Sequence, residues 1–277
     1  MQGFELLDSG DLRKIEKIGG FIFVRPQANA IWKLSNPDLL HKADYIFSRE
    51  EKNKWDIKNN LKNTFILELE NIFMKIKLTD FGHIGIFFEH INLINKLLEK
   101  YKNKNKNKKL KILNLFAYTG LASIKFSKEG HFITHVDSSK PTILWAQENA
   151  KLNNISNIRF LIDDAMKFLK KEINRGVKYD GIILDPPSFG RGPKGEVFKI
   201  EEDICQLLEL SKNVLKENFS FFAFTCHTPG FTKTVLQNLI EDIFNNNKNI
   251  AIDEMLIDSK SEKIKNLPAG FFVIIEN

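Results

Sequence analysis

The sequence is poor in cysteine and lacks long apolar runs. Only two cysteines, Cys205 and Cys226, occur among 277 residues, so we expect neither a disulfide framework nor a cysteine-based metal site. No apolar stretch reaches the roughly 20 residues that cross a bilayer, and the polar start of the chain does not resemble a signal peptide. These absences predict a protein of the reducing cytoplasm, without a membrane segment or a metal.

The three-glycine fingerprint of dinucleotide-binding proteins, G-x-G-x-x-G, is also missing, which argues against an NAD-type dehydrogenase. Lysine and arginine together number 41 against 35 acids, giving a charge of +6 and a pI of about 9.1. This excess permits binding to nucleic acid but does not require it. The 24 phenylalanines predict a core rich in rings.

Residues 1–100 contain short strand-like runs that end in a helical pattern. The predicted elements are the strands Phe21–Val24, Thr64–Leu69, Ile72–Leu78 and Ile84–Phe88 and the helix His90–Lys100. Residues 1–100 are therefore expected to form a small β-rich region. The next segment, 101–110, reads YKNKNKNKKL and carries five lysines. It predicts a solvated linker, with a phosphate-binding segment as the alternative.

From residue 111 to 277 strands alternate with helices. The predicted strands are Ile112–Phe116, Phe132–Val136, Ile158–Ile162, Gly181–Leu184, Ser220–Thr225, Ile250–Ile257 and Phe271–Ile275. The predicted helices are Leu121–Lys128, Pro141–Asn153, Met166–Ile173, Glu201–Leu215 and Thr232–Phe244. Five β-α units in series predict an α/β, Rossmann-like domain with helices on both faces of a mostly parallel sheet. The short link 258–270 predicts that the last two strands form an antiparallel hairpin.

Ligands of such sheets lie beyond the carboxyl ends of the strands, so the residues that follow each strand are candidates for a site. Gly120 ends the first turn and lets backbone approach a ligand closely. Asp137 follows the second strand and can accept hydrogen bonds from a ribose diol, because a neighbouring serine is available to cap the next helix. Of Asp163 and Asp164, one is expected to cap a helix and the other to accept from an adenine amino group. Together these residues predict a nucleoside-type cofactor.

The fourth strand ends in the stretch DPPSFGRG, which combines an acid, two prolines and a ring. Pro186 and Pro187 fix the backbone and leave carbonyls that cannot join a ladder. Phe189 offers a flat face for stacking a base, and Arg191 lies in a basic, glycine-rich loop suited to phosphate or sugar. With Asp185, this segment is suited to holding a planar nitrogen heterocycle beside a methyl donor. We expect the glycine-rich loop to be a mobile flap.

The segments NLFAYTG, HVDSSK, DDAMKF and DPPSF, in this order, resemble those of class I S-adenosylmethionine-dependent methyltransferases. More narrowly, they resemble the group around the bacterial 23S ribosomal-RNA cytosine-C5 methyltransferases. The resemblance covers the chain from about residue 81 onwards and implies S-adenosylmethionine as cofactor and RNA as substrate. It implies a cofactor site formed by Phe116, Tyr118, Gly120, Asp137, Ser138, Asp164 and Asp185.

The acceptor atom depends on Cys226, which ends the fifth strand. In cytosine-C5 enzymes a cysteine thiolate adds to C6 of the base, and Cys226 stands where that nucleophile is expected. The related enzymes carry Ser-Cys-Ser-Gly here, whereas this chain has Thr-Cys-His-Thr-Pro-Gly, so a packing role is the alternative. Cys205, within a predicted helix, is expected to pack.

The sequence thus predicts an RNA methyltransferase, with ribosomal RNA and cytosine C5 as the first candidate acceptor. One alternative is transfer to an exocyclic amino nitrogen or another acceptor, for which Asp185 and the Pro186 carbonyl would accept the amino protons. A second alternative is a non-catalytic assembly protein that binds the cofactor or RNA.

Overall fold

The structure, a computed structural model, describes residues 3–49, 53–104, 108–245 and 249–277. The chain forms two compact units. The first comprises Met1–Ile91 with Leu256–Ala269, and the second comprises Asn92–Met255 with Gly270–Asn277. The first unit therefore ends before the predicted boundary at residue 100. It also contains most of the link between the last two strands, which the sequence did not predict.

The first unit is rich in β-structure, which confirms the prediction. Its strands are β1 (Phe4–Gly10), β2 (Arg13–Ile18), β3 (Phe21–Pro26), β4 (Tyr45–Ser48), β5 (Lys54–Ile57), β6 (Thr64–Leu69) and β7 (Ile72–Lys77). The first five form one sheet in chain order, and β6 and β7 form a separate hairpin. Two short 3-10 helices cover Pro37–Lys42 and Lys58–Asn60.

The predicted strand Ile84–Phe88 is wrong. The segment is irregular, and Gly85 has a φ of +96°, which lies outside the extended region. Its apolar side chains are nevertheless buried, and the ring of Phe88 stacks on that of Phe4 with 3.8 Å between centroids. The apolar pattern therefore indicated burial in the core and not a strand.

A buried ion pair holds β2 and β3 together within the first unit. Arg25 Nε donates to Glu16 Oε2 at 2.8 Å, and Arg25 Nη2 donates to Glu16 Oε1 at 2.9 Å. The Arg25 Nη1 group also donates to the carbonyl of Gly82 at 3.3 Å. Since Glu16 is fully buried, its carboxylate is stabilised by this two-pronged contact and by Lys14 Nζ, which lies 3.4 Å from Oε1.

The second unit contains alternating strands and helices close to the predicted bounds. Its strands are β8 (Lys111–Leu115), β9 (Phe132–Asp137), β10 (Ile158–Ile162), β11 (Gly181–Leu184), β12 (Phe189–Arg191), β13 (Val197–Lys199), β14 (Phe221–Cys226), β15 (Asn249–Ile257) and β16 (Leu267–Glu276). The helices are α1 (His90–Lys104), α2 (Leu121–Lys128), α3 (Lys140–Leu152), α4 (Ala165–Asn174), α5 (Ile200–Asn213) and α6 (Lys233–Ile243). The first two residues of α1, the end of β15 and the start of β16 belong to the first unit.

Seven strands form the central sheet in the order β10-β9-β8-β11-β14-β16-β15. The pairs from β10 to β14 are parallel, and β16 runs antiparallel to β14. This confirms the Rossmann-like class, with a reversed strand near the carboxyl end of the chain. The strand order reverses between β8 and β11, so a crevice is expected where their loops diverge.

Helix α1 continues to Lys104, so it includes the first four residues of the predicted linker 101–110. Tyr101 is buried, and its hydroxyl donates to Glu276 Oε1 at 2.7 Å. Residues 105–107 lie outside the described residues. In the part of the chain that the structure describes, no helix is long and apolar enough to span a bilayer.

Candidate active site

The turn after β8 has an unusual backbone. Phe116, Tyr118 and Gly120 have φ values of +53°, +50° and +93°, which place all three in the left-handed region. Two non-glycine residues with this conformation in one turn are uncommon, and such strain clusters at ligand sites. A Cβ at Gly120 would lie 3.4 Å from Ala146 Cβ. The turn therefore packs closely against α3; contact of Gly120 with a ligand stays a prediction.

A buried polar network supports this turn, and the sequence analysis missed it. Asn114 Nδ2 donates to Ser123 Oγ at 2.9 Å, and Ser123 Oγ lies 2.9 Å from His135 Nδ1. Burial lowers the pKa of His135 to about 3, so the imidazole is neutral at physiological pH. The sequence signal for this network was the presence of a polar residue, Asn114 or His135, inside each of two apolar strands.

Asp137 links the end of β9 to this turn. The backbone N–H of Tyr118 donates to Asp137 Oδ2 and that of Ser139 to Oδ1, both at 2.9 Å. Burial raises the pKa of Asp137, while these two hydrogen bonds act to lower it. The side chain of Ser139 caps α3 by accepting from the N–H of Thr142 at 3.4 Å. Ser139 and not Asp137 is therefore the helix cap, in agreement with the sequence-based argument.

Of the two acids after β10, Asp164 caps a helix. Its Oδ1 accepts from the N–H of Lys167 at 2.9 Å. Asp163 accepts from the N–H of Asp164 at 3.0 Å and from Lys171 Nζ at 2.6 Å. One of the two acids thus caps the helix, as predicted. The capping residue is Asp164, which the resemblance places beside the adenine.

These strand ends surround a narrow cavity, open to solvent, with about 360 Å³ of space between its atoms when that solvent is included. It is lined by Phe116, Val136, Asp137, Ser138, Asp163, Asp164, Ala165, Pro187, Gly190, Arg191, Gly192 and Phe198. Acids stand at the ends of β9 and β10, and the Phe116 and Phe198 rings, with centroids 5.4 Å apart, add an apolar wall. This combination fits a nucleoside-type ligand with hydroxyl and amino donors and a planar ring.

Asp185 at the end of β11 is held by residues at the end of β14. Thr225 Oγ1 donates to Asp185 Oδ1 at 2.6 Å, and His227 Nε2 lies 3.5 Å from the same oxygen. The adjacent Ser188 hydroxyl lies 2.8 Å from that of Thr228. Because β11 and β14 pair in parallel, their ends meet at one crevice, as the sequence analysis required.

His227 is a candidate residue that the sequence analysis missed. The side chain is 34% exposed. A Cβ on Gly270 would lie 3.2 Å from His227 Nδ1, so glycine at this position leaves room for the imidazole. The signal was the alternation of strand side chains, which places Thr225 and His227 on one face and Cys226 on the other.

Cys226 is part of the hydrophobic core. Its side chain is 1% exposed and packs in the same cluster as Leu184, Phe224 and Leu236. Burial raises the pKa of the thiol, which is opposite to the change that activates a nucleophile. These features favour the packing alternative. Cys205 in α5 is exposed, so the prediction that it packs is wrong.

The glycine-rich flap is a hairpin of the short strands β12 and β13. Phe189 is 53% exposed, and the Arg191 guanidinium carbon lies 5.7 Å from the centre of its ring. Glu196 in the turn pairs with Lys167 of α4, and this contact lowers the pKa of Glu196 to about 2. The flap thus contacts α4 through this exposed pair, and it carries Arg191 in the lining of the cavity.

Sequence comparison finds similarity to methyltransferases. A family model described as N2,N2-dimethylguanosine tRNA methyltransferase matches residues 87–192. The ribosomal RNA large subunit methyltransferase K/L of Pseudoalteromonas translucida is 36% identical over 156 residues, which cover 55% of this chain and 21% of that protein. The protein of that name from Legionella pneumophila (strain Corby) is 33% identical over 146 residues, covering 52% and 19%. The chain spans about a fifth of the length of these curated relatives.

Solved structures match over almost the whole chain. A SAM-dependent methyltransferase from Agrobacterium tumefaciens superimposes with a TM-score of 0.93 at 32% identity, covering 99% of this chain and 90% of that one. The protein SMU.776, complexed with SAH, has a TM-score of 0.75 at 20% identity and covers 99% and 75%, a likeness of fold.

The fold and the strand-end cavity define a class I methyltransferase. The chain belongs to the S-adenosylmethionine-dependent methyltransferases. The predicted cofactor and enzyme class are thereby confirmed.

Proposed function

We propose that this enzyme transfers a methyl group from S-adenosylmethionine to an exocyclic amino nitrogen of a base in RNA. Guanine N2 in large-subunit ribosomal RNA is the first candidate acceptor. The observation that carries this proposal is the Asp185 carboxylate, which accepts from the Thr225 hydroxyl at 2.6 Å and is followed in the chain by Pro186, Pro187 and the exposed Phe189. The matching family and the curated relatives, whose names specify a guanosine amino group and ribosomal RNA, support it.

The cofactor residues are proposed from the same strand ends. Asp137 and Ser138 would hold the ribose hydroxyls, and Asp164 would lie beside the adenine. The turn Phe116, Tyr118 and Gly120 would contact the methionine part, and Asp185 would lie where cofactor and target meet. The sulfonium of the bound cofactor supplies an electrophilic methyl group.

Asp185 suits an amino acceptor for a chemical reason. The lone pair of an exocyclic amino group is delocalised into the base, so the group is a weak nucleophile. If Asp185 and the carbonyl of Pro186 accept its two N–H bonds, the lone pair is directed away from them and is available to the methyl carbon. The nitrogen that takes the methyl group would become positively charged and would have to lose a proton. Asp185, as one of the groups that accept from it, would be placed to take that proton.

The remaining contacts would hold the base and its strand. Phe189 is exposed and provides a stacking surface, for which about 1–3 kcal/mol per base is typical. Pro187 and the rigid segment around it restrict the position of that surface. Arg191 lies beside the ring and is suited to a phosphate or sugar oxygen.

The cytosine-C5 alternative needs a thiolate, and two features of Cys226 weigh against it. The side chain is 1% exposed, and burial raises its pKa. Asp185, which bears a negative charge, acts in the same direction. An amino acceptor needs no thiolate, so it is compatible with both features.

The test is transfer of radiolabelled methyl to RNA purified from a strain that lacks the protein, followed by mass spectrometry of the nucleosides. We expect N-methylated guanosine as product. Cys226→Ser should keep activity, and Asp185→Ala should lose at least about 100-fold. Asp242→Asn, an exposed acid on α6, is the matched control and should behave as wild type. A 5-methylcytidine product that disappears in Cys226→Ser would refute the amino acceptor.

A further inference from the structure

A second groove lies at the opposite end of the central sheet from Asp137 and Asp185. It is formed where β8, β9 and β10 begin and has about 770 Å³ of empty space. Its lining residues are Lys111, Phe132, Ile133, Thr134, Ser156, Asn157, Ile158 and Arg159. Phe132 is the first residue of β9 and Asp137 the last. The five steps between them, at about 3.3 Å each, span about 17 Å.

The groove combines an exposed ring with cations. Phe132 is 54% exposed, whereas the next four residues of β9 are buried. Lys109 Nζ lies 6.0 Å from the centre of its ring, and Lys111 Nζ lies 4.7 Å from that of Tyr179. Arg159, exposed on the edge strand β10, is a further lining cation.

Acidic groups do not offset these cations. Among the described residues that line the groove, two are cationic and none is acidic. Asp180, beside this end of the sheet, is buried and is bonded to Lys216 Nζ at 2.8 Å and to the N–H of Lys111 at 2.9 Å. An exposed acid, Glu129, stands three residues before Phe132 and is not part of the lining. The residues that line the groove therefore carry a net positive charge.

Two lysines of the segment 101–110 stand immediately before β8, beside this groove. Lys109 approaches the Phe132 ring, and Lys108 Nζ lies 3.6 Å from Asp180 Oδ1. From the sequence, the segment is either a linker or a phosphate-binding run. The place of Lys109 beside an exposed ring favours phosphate binding at this end of the segment.

We infer that this groove is a second RNA-binding site, which anchors a single-stranded part of the substrate away from the reacting base. The inference rests on the proposed function. Phe132 stacks one base, and the cations Lys109, Lys111 and Arg159 contact the adjoining phosphates. Stacking on a ring flanked by cations suits a nucleotide chain better than an acidic peptide, which would use the cations alone.

The test measures the binding of a fluorescently labelled 20-nucleotide poly-uridine RNA by anisotropy at two salt concentrations. We expect Phe132→Ala to weaken binding by about 5- to 150-fold, the range for loss of one stacked base. Phe132→Trp should keep binding. Arg159→Ala should reduce the slope of log affinity against log salt by roughly 0.7, the value for one phosphate on a single strand.

Two exposed positions away from the groove serve as matched controls. Leu144→Ala removes an apolar side chain from α3, and Lys170→Ala removes a cation from α4. Both should bind RNA as wild type. Folding is checked by thermal melting, and the integrity of the distant site is checked by calorimetric binding of S-adenosylmethionine, which no groove variant should change.

Unchanged RNA affinity in both Phe132→Ala and Arg159→Ala would overturn the inference. Displacement of the RNA by poly-glutamate, with Phe132→Ala unaffected, would overturn it in favour of an acidic protein partner. If only the inference about the groove is wrong, the wild-type protein still methylates RNA. Failure of the proposed function appears as a wild type that neither binds nor methylates RNA.

Discussion

The replacement Thr225→Val tests how much the enzyme depends on the orientation of Asp185. Thr225 is 4% exposed in β14, and its hydroxyl donates to Asp185 Oδ1 at 2.6 Å. The carbonyl of Leu184 lies 3.4 Å from the same hydroxyl, a weaker contact. Valine keeps the branched shape that suits the strand and removes only the hydroxyl.

The expected size of the effect follows from the charge on the acceptor. A hydrogen bond to an ionised group contributes about 1.5–3 kcal/mol, which corresponds to a change of about 10- to 150-fold. We expect the Thr225–Asp185 contact to matter only when Asp185 accepts hydrogen bonds from the amino group of the base. Its removal should then lower kcat and leave the affinities for S-adenosylmethionine and RNA unchanged.

The assay is steady-state methyl transfer to RNA, with S-adenosylmethionine affinity measured separately by calorimetry. We expect Thr225→Val to lower kcat by at least about 10-fold and to leave cofactor affinity unchanged. Thr225→Ser, which keeps the hydroxyl, should recover most of the activity. A Thr225→Val enzyme with wild-type kcat would refute the argument that this contact positions Asp185 for catalysis.

Three further predictions concern stability and cofactor binding. The folded pKa of His135, about 3, lies below its ordinary value of 6.5, so the unfolded chain takes up the proton first. The free energy of unfolding should therefore fall as pH drops from about 6.5 towards 3, by about 1.4 kcal/mol per unit from this residue. Urea unfolding at several pH values should show a shallower fall in His135→Gln; an identical slope would contradict the assignment. Arg25→Met removes the guanidinium that pairs with the buried Glu16 and should lower the free energy of unfolding, measured with urea, by about 3–5 kcal/mol. The double variant with Glu16→Leu should recover part of this loss. Gly120→Ala forces an alanine to φ +93°, at a cost of about 1–2 kcal/mol. Calorimetry should show weaker S-adenosylmethionine binding, and unchanged affinity would mean that the turn relaxes freely.

The bounds of the elements in the second unit could be predicted closely because its sequence marks the ends of strands and helices clearly. The helix Leu121–Lys128 and the strands Ile158–Ile162 and Gly181–Leu184 have their predicted bounds. Each strand is a short apolar run that ends at a polar or glycine-containing turn, and each helix repeats apolar residues at three and four positions. Local signals and the final fold therefore agree in this unit.

The first unit was harder to predict because its local signals conflict with its backbone. The hairpin β1–β2 turns through Asp11 and Leu12 with φ values of +48° and +60°. Asp is common in such turns, but a leucine at the second position does not indicate one. The same difficulty hid the hairpin β12–β13, whose strands have three residues each and whose three glycines suggested a loop. Such elements are stabilised by contacts distant in sequence, which periodicity does not reveal.

The sequence predicts which candidate residues stand at strand ends, but it does not predict the partners of those residues. Asp137 and Asp185 stand at strand ends because the strand signals are local. That Asp137 accepts from the N–H of Tyr118 depends on the left-handed turn, and the support of Asp185 by Thr225 depends on the pairing of two strands. Both contacts join segments well separated along the chain, so they required the structure.

The choice of acceptor atom depends on the register of β14 against β11. Leu184 pairs with Phe224, so the next residues, Asp185 and Thr225, are adjacent, and alternation turns Cys226 towards the core. A shift of one residue would exchange these faces and bring the thiol to the carboxylate. The same sheet could thus support either a thiolate or a hydrogen-bonded acid at this crevice. In this chain the register brings the hydroxyl of Thr225 to Asp185, and this contact favours chemistry at an amino group.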